Sequence, residues 1–169
     1  MKLEAFEYNL RQKTVPFAQS IIMNNGTHMP MLLTYDKNGT ESGSELSNLF
    51  SVKDKNVLYS VLKQYLKDTE SVAYVLINEA YMKKVSREEY EGMTQEQIEM
   101  MENMGISDDS KSIETLCVTW QYKNEVTTGG IVSSPYSKEN GCIVIDYANI
   151  VDSYDSETQA RGRSVNLFD

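Results

Sequence analysis

The sequence predicts one α+β domain, in which helices cover a mainly antiparallel sheet of about five or six strands. Its 169 residues, 40% of them hydrophobic and 24% charged, suit a single globular core. Apolar residues recur at helical spacing early in the chain and at strand spacing later. We place the domain at residues 1–151, with an acidic helical insertion at 86–110. The polar tail, 152–169, offers little apolar surface and is expected to be mobile.

Helices are predicted over residues 2–24. Apolar residues such as Phe6 and Leu10 recur at helical spacing, and the spacing is interrupted around Thr14. Proline is tolerated in a first helical turn, so Thr14 is expected to cap a second helix that has Pro16 near its start. Two helices, or one helix with a kink, satisfy this pattern.

A strand over 29–35 and a turn containing Asn38 and Gly39 come next. An Asn-Gly pair suits the type I′ turn of a tight hairpin. Residues 40–47 are polar, so they are either a short return strand or a loop.

The clearest amphipathic helix is predicted over 54–68, with apolar residues on one face and lysines on the other. The run that follows, 71–82, begins with apolar residues at both odd and even positions. It is therefore expected to form a central strand that is covered on both faces.

Three more strands are predicted, at 113–122, 126–132 and 141–147. Alternation in the first of them indicates a strand with one buried face and one solvated face. The Gly129-Gly130 pair lies inside a strand pattern and favours a bulge.

Composition narrows the functional classes. With 25 acidic and 16 basic residues the formal charge is −9, which disfavours direct binding to nucleic acid. The sequence has neither an apolar run long enough to cross a membrane nor a signal peptide, so a cytoplasmic location is expected. Cys117 and Cys142 are expected to be reduced and buried. No cofactor or metal site is predicted.

The insertion carries two capping signatures, which begin at Ser86 and Thr94 and predict two short helices. Its methionines and acids suit an adaptable surface for a basic partner, although a helix that covers the sheet would show the same pattern. The candidate partner-binding residues in this insertion are Glu96, Glu99, Met101, Glu102 and Met104.

The end of the tail is a second candidate surface. Leu167, Phe168 and Asp169 resemble the terminal peptides, ending in Leu-Phe with a nearby acid, by which bacterial and T-even-type phage replication proteins bind the sliding clamp. Ser164 stands where the bacterial peptide usually begins with Gln. The resemblance implies that these three residues dock into a partner, and the alternative is that they pack on their own domain or have no role.

The order of elements over 17–147 resembles that of uncharacterised small bacterial and phage α+β proteins. The matching residues include the His28-Met29-Pro30 segment before a strand and a turn with Asp36 and Gly39. This resemblance implies a fold and no activity. The proteins of that group lack the insertion and the tail.

The leading hypothesis is a non-enzymatic accessory protein, phage-encoded in one version, that binds a protein partner through its insertion or its tail. One rival is an enzyme or a small-molecule or nucleotide-binding protein with a pocket on the sheet face. The residues of that pocket are His28, Tyr74, Glu79, Tyr81 and Trp120. Another rival is a virion or assembly component that forms homo-oligomers.

Two residues of the rival pocket also have structural interpretations. His28 is the single histidine, and as a loop residue it is expected to hydrogen-bond the backbone rather than to serve as a base. Glu79 is either a buried general acid with a raised pKa or a carboxylate at the point where its strand leaves the core.

Overall fold

The structure is a computed structural model that describes residues 1–82, 85–103, 112–124, 127–153 and 167–168. The helices are α1 (Leu3–Asn9), α2 (Val15–Asn25), α3 (Ser47–Phe50), α4 (Lys55–Asp68), α5 (Arg87–Glu91) and α6 (Gln95–Asn103). The strands are β1 (Met31–Tyr35), β2 (Glu41–Glu45), β3 (Ala73–Met82), β4 (Ile113–Tyr122), β5 (Thr128–Glu139), β6 (Cys142–Ile145) and β7 (Val151–Asp152). Within these ranges, no helix has the length and apolar character that a membrane span requires.

The α+β class is confirmed. The strands form one antiparallel sheet in the order β2-β1-β3-β4-β5-β6, and β7 pairs with the middle of β5. The predicted central strand β3 lies between β1 and β4, as its apolar start requires. The described residues form seven strands, because the polar segment after the first turn forms β2 and the chain adds the short β7.

The N-terminal helices form one continuous helical segment. A π-helical turn over Leu10–Thr14 joins α1 to α2, and Thr14 itself is helical (φ −67°, ψ −49°) with no side-chain cap. The predicted Thr14 cap is therefore wrong. Leu10 and Val15 are both buried and lie five residues apart, which is the repeat of a π turn. The π turn thus keeps both side chains on the face that meets the sheet.

Each face of the sheet has its own hydrophobic cluster. We call the cluster under α1 and α2 the first core, which includes Phe6, Leu10, Ile22, Val75, Val118 and Trp120. We call the cluster under α4 the second core, which consists of Leu32, Leu46, Leu58, Leu62, Leu66, Tyr74, Leu76 and Leu167. Leu58, Leu62 and Leu66 repeat every four residues, so α4 presents one leucine stripe to the sheet.

The first hairpin differs from the predicted type I′ turn. Tyr35 pairs with Glu41, so five residues connect the strands, and of these only Gly39 has positive φ. The Asp36 carboxylate closes the loop by accepting hydrogen bonds from two backbone amides at 2.8 Å. The left-handed pair occurs instead at Asn140-Gly141, between β5 and β6.

Strands β4 and β5 also correct the sequence-based expectations. Residues 115–122 are buried on both faces of the sheet, not on one. Strand β5 runs on to Glu139, well past the predicted end of its strand at 132. Gly129 pairs in regular register with Gln121, so the predicted bulge is absent. A Cβ at Gly129 would lie 2.6 Å from the Trp120 carbonyl oxygen, and this close approach explains the glycine.

The two cysteines differ from each other. Cys117 is buried as predicted, and burial raises the pKa of its thiol to about 12, so it is unreactive. Cys142 is exposed, because its side chain points away from the first core that buries its neighbour Ile143. Neither forms a disulfide with a described residue.

Candidate functional site

The Leu167–Phe168 segment packs at one end of the second core, and we call the surface that it contacts the seat. Leu167 is only 2% exposed and packs in the second core, although it is far from α4 in sequence. The Phe168 ring meets Tyr74 edge-on, with 5.3 Å between ring centroids. The predicted tail residues therefore lie against the chain's own domain in this structure, and Asp169 lies outside the described residues.

Gln121 fixes this seat from the sheet. Its side-chain oxygen accepts a hydrogen bond from the Phe168 amide (3.1 Å) and another from the Tyr74 hydroxyl (2.9 Å). Gln121 is buried, so this oxygen would be costly to leave without a donor. The sheet thus binds the backbone of the segment as well as its side chains.

An open cleft of about 560 Å³ adjoins the segment. The last turn of α4, the turn into β3 and the residue after β4 form its walls. Its apolar lining consists of Leu66, Val72, Leu167 and Phe168. Its polar lining consists of Lys63, Lys67, Lys123, Glu70 and Ser71.

Three lysines in one cleft are notable in a chain of net charge −9. Lys63, Lys67 and Lys123 are exposed, and none of them makes an ion pair with a described residue. The Lys123 ammonium lies 5.8 Å from the centroid of the Phe168 ring, within the range of a cation–π contact. The cleft is therefore locally basic and partly aromatic.

The carbonyl groups at the end of α4 are largely satisfied. The Thr69 amide donates to the Tyr65 carbonyl, the Glu70 amide to Lys67 and the Ser71 amide to Leu66. These bonds satisfy carbonyl groups that the end of a helix leaves without partners. The partial negative charge at the end of α4, beside Lys63 and Lys67, is therefore reduced.

A second stripe on α4 is exposed. Val57, Val61 and Tyr65 were predicted to be buried with the leucines, but they are 50%, 42% and 37% exposed. They lie one position before each buried leucine, so the apolar face of α4 is wider than the part of it that packs against the sheet.

The residues of the predicted sheet-face pocket lie on both sides of the sheet. Tyr74 belongs to the second core, whereas Trp120 is fully buried in the first core. Glu79 and Tyr81 continue the odd-numbered series of the first-core residues of β3 and therefore share their face. His28 lies next to Glu79. The structure thus brings His28 and Glu79 together and separates Tyr74 from them.

Glu79 fastens the loop before β1 to the sheet. One carboxylate oxygen accepts from the Thr27 hydroxyl (2.5 Å) and the His28 amide (3.2 Å), and the other accepts from the Tyr136 hydroxyl (2.6 Å). Burial alone would raise the pKa of Glu79, but these hydrogen bonds outweigh it and lower the pKa. The carboxylate is therefore ionised at neutral pH, which is the reverse of a general acid.

His28 has the geometry of its structural interpretation. Its Nδ1 lies 2.7 Å from the Met29 carbonyl oxygen, so this nitrogen carries the proton and donates. The side chain is buried, and its Nε2 has no partner among the described residues. Within the described ranges, no three His, Cys, Asp or Glu side chains gather as a metal site.

The insertion contains the two predicted helices. Ser86 accepts a hydrogen bond from the Glu89 amide at the start of α5. Thr94 and Gln97 cap α6 reciprocally, as the sequence signature predicts. Glu96 and Met100 are exposed. Met104 and the side chains of Glu99, Met101 and Glu102 lie outside what the structure describes.

No family model, curated protein or solved structure matches this chain. The site is therefore defined by its own residues. Sequence reasoning missed Gln121, because it was placed on a face expected to be solvated. It also missed the lysine cleft, because Lys63 and Lys67 read as an ordinary polar helix face. The fold brings Lys123 close to them, so the three lysines line one cleft.

Proposed function

We propose that this protein is a non-enzymatic protein-interaction protein, and that Leu167–Phe168 is its partner-binding segment. The observation that carries this proposal is the seat itself: an apolar two-residue segment docks into a groove built by α4, β3 and β4. A segment with this chemistry suits an apolar pocket on another protein equally well.

The energetics favour reversible docking. Burial of Leu167 and part of Phe168 contributes roughly 3 to 4 kcal/mol. Ordering two residues costs roughly 2 to 4 kcal/mol of backbone entropy. The hydrogen bond to Gln121 adds about 1 kcal/mol. The net free energy of docking is therefore small, about 0 to 3 kcal/mol, and a partner pocket can compete for the segment.

The insertion offers a second contact surface. Glu88, Glu89, Glu91 and Glu96 are exposed on α5 and α6, and Met100 is 53% exposed. Such a surface attracts a basic partner and speeds its association. We assign it a steering role, and the apolar segment supplies the anchor.

Two variants with opposite expected effects test the anchor. The double substitution Leu167→Ala and Phe168→Ala removes the binding side chains, so partner binding should be lost. Gln121→Ala removes the acceptor that holds the segment in its own seat, so a larger fraction of the segment is free and partner binding should tighten. Both variants weaken the seat, so a general loss of stability cannot produce this pair of results.

A bacterial sliding clamp is the first purified partner to test, because the tail resembles clamp-binding peptides. Partners captured from a bacterial lysate by the wild-type protein would be purified and tested next. Calorimetric titration would compare the two variants with Phe17→Ala, an exposed phenylalanine on α2. A partner that binds the double variant as tightly as the wild type would overturn the proposed anchor. The absence of any partner would overturn the function.

A Glu→Gln variant at positions 88, 89, 91 and 96 tests the insertion separately. We expect slower association, greatest at low salt, with the dissociation rate nearly unchanged. An unchanged association rate would remove the steering role and leave the anchor unaffected.

A further inference from the structure

We propose that the cleft beside Leu167–Phe168 is a binding site for a small amphipathic anion. The ligand class is an organic molecule with an apolar or aromatic body and one acidic group, such as a carboxylate, sulfonate or phosphate. The site exists while Leu167–Phe168 is docked on the domain, because these residues form part of its wall, and its test requires no protein partner.

The size of the cleft fits a small molecule. Its volume of about 560 Å³ lies in the range of ligand pockets, roughly 300 to 1,000 Å³. The peptide segment that ends in Phe168 already forms one wall, so the remaining space suits a compact ligand better than a second peptide.

The charges of the cleft select an anion. Among the described residues, Lys63, Lys67 and Lys123 face the space, together with one carboxylate, that of Glu70. Elsewhere the protein carries an excess of acid, so this cleft is a local reversal of the overall charge. An anion is repelled by most of the surface and is attracted here.

The apolar lining selects the body of the ligand. Leu66 and Val72 form an aliphatic wall, and Phe168 supplies an aromatic ring. Tyr74 meets this ring edge-on, and Lys123 already lies within cation–π range of it. An aromatic ligand can stack near Phe168 while its acidic group reaches the lysines.

The two helical lysines are placed to act together. Lys63 and Lys67 lie four residues apart on α4, so their side chains leave the same face of the helix. Like charges at this spacing repel, which costs a few tenths of a kcal/mol in the empty protein. An anion between them relieves this repulsion. Lys123, which follows β4, adds a third positive charge to the cleft.

The test uses two fluorescent probes that differ in charge. Anilinonaphthalene sulfonate is an aromatic anion, and phenylnaphthylamine is its uncharged analogue. Each would be titrated into the full chain at low salt, and fluorescence would report saturation. We expect one saturable site for the anion and at least roughly tenfold weaker binding of the neutral analogue.

Two triple variants locate the site. Lysine-to-glutamine changes at 63, 67 and 123 remove the cleft charges, and the same changes at 13, 37 and 53 remove three lysines that do not line the cleft. Both variants have the same net charge, so they alter the general field equally. We expect roughly tenfold weaker anion binding in the first variant and little change in the second.

Three results would overturn the proposal. They are the absence of saturable binding of the anion, equal binding of the two probes, and equal weakening in the two triple variants. Circular dichroism melting of each variant would show that any loss of binding occurs in a folded protein.

Discussion

The two sides of the sheet are closed in different ways. The first core is covered by one continuous helical segment, α1 through α2, which is held along its length by apolar contacts. The second core is covered by α4 and completed by Leu167, a residue that reaches it from the other end of the sequence. The comparison teaches where binding should be sought: the first core is covered by one helical segment, whereas the second is completed by the two-residue segment proposed to bind a partner.

The largest expected effect lies in the first core. Phe6 is 2% exposed and its ring contacts those of Tyr35, Trp120 and Tyr122. Phe6→Ala should lower the free energy of unfolding by about 3 to 5 kcal/mol, since it leaves a cavity among rings that cannot collapse. Urea unfolding would measure this loss.

The control for Phe6 is Phe17→Ala on the same helical segment. Phe17 is 65% exposed, so its removal should change stability by less than about 0.5 kcal/mol. Equal losses in the two variants would mean that the helical segment does not pack by the face described here.

Gly129→Ala tests the close approach of β5 to β4. A Cβ there would meet the backbone oxygen of Trp120 at 2.6 Å, and a strand in mid-sheet cannot move aside cheaply. We expect a loss of about 1 to 3 kcal/mol in the free energy of unfolding.

Gly43→Ala on the edge strand β2 is the matched control. Its new Cβ would meet only the tip of the Leu33 side chain, at 3.3 Å, so thermal melting should show a smaller loss. A variant at Gly129 as stable as the wild type would contradict the regular register of β4 and β5.

Local patterns predicted most of this architecture, and the misses share a cause. The spacing of Leu58, Leu62 and Leu66 was sufficient to predict α4, because a helix is specified by neighbours in sequence. The same spacing could not show that Val57 and Val61 would remain exposed. That outcome depends on how α4 is oriented on the sheet in the folded chain.

The candidate site was less predictable, since its parts meet only in the folded chain. Gln121 and Phe168 are 47 positions apart, and no local pattern marks a buried glutamine as an acceptor for a distant amide. The identity of Leu167 and Phe168 as a docking pair could be predicted from their apolar character in a polar tail. The seat that they contact could not be predicted, because its residues are distant in sequence.

Glu79, on the first-core face of the sheet, makes the free energy of unfolding depend on pH. Its pKa is lowered in the folded protein, so its hydrogen bonds stabilise the fold above the ordinary carboxyl value of 4.5, and this contribution is lost as the pH falls through the lowered pKa. Glu79→Gln should cost roughly 1 to 2 kcal/mol at neutral pH. The difference from wild type should shrink in acid.

The exposed Glu96 provides the control for this titration. Glu96→Gln should change the free energy of unfolding by less than about 0.5 kcal/mol at neutral pH, and both variants would be unfolded by urea between neutral pH and acid. A difference between Glu79→Gln and wild type that grows in acid would reverse the assigned direction of the pKa.

Among the buried side chains, the smallest effect is expected at Leu167, although it is as buried as the leucines of α4. Leu62→Ala should cost about 2 to 5 kcal/mol, because α4 cannot leave the sheet without unfolding. Leu167→Ala should cost about 1 kcal/mol, because a segment that can detach cannot lose more than its own net docking energy. Parallel urea titrations of the two variants measure this difference between otherwise matched leucines. If Leu167→Ala costs as much as Leu62→Ala, the segment is a permanent part of the second core, and it is not available to a partner.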